Sequence, residues 1–117
     1  MTPHERGMGM NLDYLRDVFK GNLAEIIRMI KNSESKESIE RALYVNSYNI
    51  KDSTRMLEED LRESCGGEEE IRARLKIIGE FANRIGTCGE LLRSKLRGDE
   101  QADAECDGFA ASLDAWS

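Results

Sequence analysis

Few residues in this chain could carry chemistry. Cys65, Cys88 and Cys106 are its thiols and His4 its single imidazole, in 117 residues. A zinc site needs four ligands at short paired spacings and a disulfide framework needs an even cysteine count. Three widely separated cysteines beside one histidine meet neither requirement. Cys65, next to Gly66-Gly67, is the thiol with a local cue for exposure, but no base accompanies it. General acid-base catalysis wants a histidine or paired carboxylates in a sheltered site. Here the acids run together as Glu58-Glu59-Asp60 and Glu68-Glu69-Glu70, the pattern of a solvated helix face. No Gly-rich loop precedes a Lys-Ser or Lys-Thr pair, so a nucleotide cradle has no carrier. The expectation is a protein that is not an enzyme, with no cofactor and no metal, and with His4 solvated at a fraying end.

Charge narrows the partners. Of the 23 acidic residues six (Asp99, Glu100, Asp103, Glu105, Asp107 and Asp114) lie in 98–117, where there is no Lys or Arg. The first 97 residues are therefore neutral, and the net charge of −6 belongs to the tail. A neutral body with an acidic tail is unsuited to phosphate backbones, which require concentrated Lys and Arg, so nucleic acid is not favoured. No apolar run approaches the roughly 18 residues of a membrane span, and the N-terminus lacks the apolar stretch of a signal peptide. The reading is a reducing intracellular compartment, cytoplasm or nucleus, and no membrane.

The elements follow from periodicity. The only proline is Pro3, and 34% of the residues are charged, which together favour an all-α chain of one domain. Residues 1–10, with Pro3, Gly7 and Gly9, predict a mobile lead whose Met8 and Met10 could fold onto the body. From the cap at Asn11, Leu12, Leu15, Phe19, Leu23, Ile26, Ile27 and Ile30 form an amphipathic stripe. Gly21-Asn22 predicts a kink or two helices, 12–20 and 23–31. After the loop Asn32 to Ser35, with Ser35 as cap, a helix is expected over 36–46. The polar cluster Asn46-Ser47-Tyr48-Asn49 predicts a turn. Asn49 with Asp52 restarts a helix over 50–64, which closes at Cys65-Gly66-Gly67. Leu43 and Leu57 would then face each other across the turn.

A long helix over 68–97 opens on three glutamates. Ile71, Leu75, Ile78, Ala82, Ile85, Gly89, Leu92 and Leu96 recur at alternating spacings of four and three, a heptad seam. The seam lines an intramolecular bundle or, alternatively, a homodimer through residues 71–96. Gly86 followed by Thr87-x-x-Glu90 predicts a bend. Gly98 to Asp107 reads as an acidic linker, followed by a short amphipathic helix whose Phe109, Leu113 and Trp116 share one face.

The stretch Ile39 to Leu57 resembles the second and third helices of the ubiquitin-associated (UBA) domain. Ala42-Leu43, Asn49-Ile50, Ser53 and Leu57 match that family's order and spacing. The resemblance covers about residues 23–61 and implies a three-helix core. It implies ubiquitin binding less directly, because Asn32, Ser33 and Glu34 stand where the family carries its apolar loop, and Glu58-Glu59-Asp60 follow Leu57. The same stretch is similar to the first two helices of the Fis-like DNA-binding module, with Ser53-Thr54-Arg55-Met56-Leu57. There the recognition helix would follow at once with basic residues, and acids follow here instead.

The expected architecture is thus a small helical bundle with a UBA-like helix-turn-helix core in 11–97, a long C-terminal helix, and an acidic tail over 98–117. The expected role is a small adaptor or complex subunit acting through helix-mediated protein-protein contacts. Phe109, Leu113 and Trp116 are its candidate partner-binding residues, with a final helix covering the protein's own core as the other reading of that segment.

Overall fold

The computed structural model describes the backbone of residues 3–63 and 68–117 and the side chains of 12–59, 62 and 68–117. Over the described residues it is an all-α bundle of four helices: α1 (Pro3–Lys31), α2 (Lys36–Glu63), α3 (Glu68–Arg97) and α4 (Ala102–Asp114). Closure at Cys65-Gly66-Gly67 and the side chains of His4, Met8, Met10 and Leu61 lie outside the described residues. The bundle measures 52 × 24 × 17 Å, with a radius of gyration of 16.3 Å. A compact chain of this length would have about 13 Å. It is elongated because three helices of nearly equal length, each about 45 Å long at 1.5 Å per residue, lie side by side.

The connections set the directions. At Ser33, φ is 54°; its N–H donates to Ile30 O (3.1 Å) and that of Glu34 to Met29 O (3.0 Å). This is the paired closure of a Schellman motif, with serine in the left-handed position usually held by glycine. Ser35 Oγ then accepts from the Ser38 N–H at 3.2 Å and caps α2, as the sequence predicts. Gly98 (φ 77°) closes α3 in the same way, with Gly98 N–H to Lys95 O and Asp99 N–H to Ser94 O, both 3.1 Å. Short loops make α2 run against α1 and α4 against α3. Phe19 stacks on Phe81 with ring centroids 3.9 Å apart, and Lys31 meets Asp107, so α1 and α3 run parallel.

Several predicted breaks do not occur. The turn at 46–49 is absent: α2 is one helix, and Leu43 and Leu57 lie along a single axis rather than facing each other. The residues that carry the UBA resemblance therefore sit on one continuous helix. Asn46 shows why. Its Nδ2 donates to Ala42 O at 2.7 Å and its Oδ1 accepts from Asn22 Nδ2 at 3.2 Å, so the side chain finds partners within the helix and on α1. Asn22 is thereby used, and α1 passes through Gly21-Asn22 unbroken. The same helix begins at Pro3, where the missing N–H costs nothing in a first turn, so the lead expected over 1–10 is helical from that point. α3 likewise runs through Gly86 as one helix, and Thr87 Oγ1 donates back to Asn83 O (3.3 Å) instead of capping a new one.

The core sits at one end of the bundle. Leu23, Ile26, Ile27 and Ile30 of α1 meet two stripes of α3. One belongs to the expected seam, at Ile85 and Leu92, and the other is Ile77, Phe81, Cys88 and Leu91, while Ile78 of the seam is buried outside that cluster. A central helix covered on three sides must bury more than one seam. Leu96 is exposed, and the middle of the seam is occupied by the chain's own helices. From α2 only Ile39 is fully buried among the described residues, with Ala42, Leu43 and Ile50 packed at the margin.

Candidate functional site

Phe109, Leu113 and Trp116 pack on the chain's own helices, as in the other reading of that segment. Leu113 and Trp116 are each 4% exposed and Phe109 packs against the same core, so all three fill the groove between α1 and α3. Ala102 and Cys106 extend the line upward at the same spacing. Trp116 Nε1 donates to Glu80 Oε2 at 2.6 Å, and the Arg84 guanidinium lies 4.2 Å from the indole centroid. The linker expected over 98–107 is also shorter than predicted, since α4 starts at Ala102. Its acids serve the docking. Asp103 bonds to Lys95 at 2.7 Å and Asp107 to Lys31; the first contact holds the Asp103 carboxyl below its usual range, and the second raises the Lys31 ammonium.

The two thiols among the described residues are equally enclosed. Cys88 and Cys106 are free and buried. Burial, with Cys106 close by, pushes the Cys88 thiol from 9.0 up to about 12; burial first and Asp103 second also raise Cys106. Both are protonated near neutral pH and unsuited to nucleophilic attack. Because the folded value of Cys88 lies above the unfolded one, its contribution to stability is intact below pH 9.0 and is lost as pH rises through about 12. Urea melts should therefore fall more steeply with pH across that window in the parent protein than in Cys88→Ala, by up to roughly 1 kcal/mol per unit. Equal slopes would mean the thiol is hydrated. No group of three or more His, Cys, Asp or Glu is placed to hold a metal among the described residues.

What remains is the outward face of α2. While Ile39, Leu43, Asn46, Ile50 and Leu57 point toward the bundle, Tyr44 is 70% and Tyr48 60% exposed, one helical turn apart. Val45 and Met56 are exposed alongside them. An open concavity of about 900 Å³ follows this face, lined by Tyr44, Ser47, Tyr48, Lys51, Arg55 and Glu58 among others. Tyrosine presents a rigid apolar ring with a polar tip, and it is enriched where proteins bind one another. Single exposed apolar side chains are ordinary; two aromatic rings on one stripe of a helix, lining one concavity, are a stronger signal. The sequence hides this face because the polar cluster at 46–49 reads as a turn and takes Tyr48 with it. Once α2 is drawn as one helix, the spacing of Tyr44 and Tyr48 places both on its polar side. No helix among the described residues is long and apolar enough to cross a membrane. The chain matches no protein-family model, and neither curated proteins nor solved structures give a significant match to it.

Proposed function

We propose that the chain is a small non-enzymatic adaptor or complex subunit that engages another protein through the outward face of α2. The observation that carries this reading is the pair of exposed rings, Tyr44 and Tyr48, on a helix whose other face is only shallowly buried. A helix laid against a partner by a few anchors is a common recognition mode, and aromatic residues supply most of the energy in such contacts. Two buried free thiols support placing it in a reducing compartment inside the cell.

A photo-crosslinking residue at position 48 should trap a discrete set of proteins in cells, and one at the exposed Ser112 of α4 should not. Tyr44→Ala combined with a crosslinker at position 51 should abolish the capture while changing stability by no more than about 0.5 kcal/mol. Equal trapping from positions 48 and 112 would remove the basis for this surface.

A further inference from the structure

The same face has a second regularity, in charge. From Glu37 to Arg62 its exposed residues recur at alternating spacings of four and three, a heptad seam built from charged residues and tyrosine. Inverting the helix about its midpoint, between Asn49 and Ile50, sets Glu37 against Arg62 and Arg41 against Glu58. The same operation sets Tyr44 against Arg55 and Tyr48 against Lys51. Every opposed pair is attractive: two are ion pairs and two place a cation on an aromatic ring. In heptad terms each pair joins an a position to a d position, as antiparallel helices require. A parallel alignment would instead set Arg41 on Arg41, Lys51 on Lys51 and Glu58 on Glu58, all repulsive.

We propose that the occupant of this face is a second copy of the chain, paired antiparallel through α2 about a twofold axis. A twofold interface must be self-complementary, so that residue i meets j and j meets i. This stripe has that property along its whole length. The inference rests on the reading of α2 as an interaction surface and names its partner. It also moves self-association away from the 71–96 seam, whose middle is buried within one chain. The aliphatic stems of Arg41, Lys51 and Arg55 cover the tyrosine rings, and the charged ends reach across to the opposing helix. Such a seam makes a modest dimer that weakens with salt.

Sedimentation equilibrium on the full chain at low ionic strength should show the 13.3 kDa species doubling in mass as concentration rises toward millimolar. Arg41→Glu alone faces Glu58 of the other copy, and Glu58→Arg alone faces its Arg41. Each variant should lose self-association by at least about tenfold, since like charges opposed in an interface cost several kcal/mol. An equimolar mixture of the two should regain it, because the mixed dimer has both pairs matched. Positions 41 and 58 are exposed, so the thermal melts of the variants should match that of the parent. A parent chain that stays monomeric throughout, or a mixture that stays monomeric, overturns the pairing. If capture of a different protein through Tyr48 persists in that case, the adaptor reading stands without it.

Discussion

Trp116→Ala is expected to cost about 3 to 5 kcal/mol, a large share of the roughly 5 to 15 kcal/mol that holds a domain together. The indole is 4% exposed and lies beyond the end of α4, where it fastens that helix to the middle of α3. Three contributions combine there: apolar burial between α1 and α3, the hydrogen bond to Glu80, and the Arg84 cation over the ring. Trp116→Phe separates them. It keeps most of the burial and loses the N–H, so the cost should fall to about 1 to 2 kcal/mol, because Glu80 is half-buried and can take up water in exchange. Tryptophan emission in the native protein should be blue-shifted and should follow the far-UV transition in urea. The alanine variant should lower the melting temperature by roughly 10 to 20 °C. A cost below about 1 kcal/mol would mean that α4 is undocked in solution, which would return Phe109, Leu113 and Trp116 to the role of partner anchors.

The parts of this fold legible in the sequence are those set by apolar spacing and by strong local punctuation. The stripe from Leu12 to Ile30, the seam through Ile78, Ile85 and Leu92, the cap at Ser35 and the shared face of Phe109, Leu113 and Trp116 all follow from local rules. The misreadings share a different cause. Asn46 and Thr87 carry side chains that compete with helix hydrogen bonds in isolation, yet each bonds back to a carbonyl of its own helix, and Asn46 also meets Asn22 across the bundle. That second partner lies 24 residues away and leaves no local signal. The α2 face escaped for a related reason. Helical periodicity is ordinarily sought in apolar residues, and the stripe from Glu37 to Arg62 repeats in charge and aromatic rings instead.

Glycine misled in the same way, and it supplies the second large expected effect. Replacing Gly21, Gly79, Gly86 and Gly108 together by alanine should stabilise the protein by roughly 2 to 4 kcal/mol. All four lie within helices and are exposed, and a Cβ at any of them meets nothing within 4 Å. Alanine therefore gains in helix propensity, and in reduced freedom of the unfolded chain, without a steric charge against it. Gly79 and Gly86 are two turns apart with no shared contact, so the increments should add. Gly98 is the control. Its φ of 77° closes α3, so Gly98→Ala should lose about 1 kcal/mol despite equally open surroundings. Urea melts of the quadruple variant and of Gly98→Ala should thus move in opposite directions. A quadruple variant no more stable than the parent would mean that α1 breaks at Gly21 and α3 at Gly86 in solution, as the local sequence there suggests. None of the four lies on α2, so neither crosslinking from position 48 nor self-association should change while stability rises. Loss of either along with the gain would show that the helices must flex for α2 to engage.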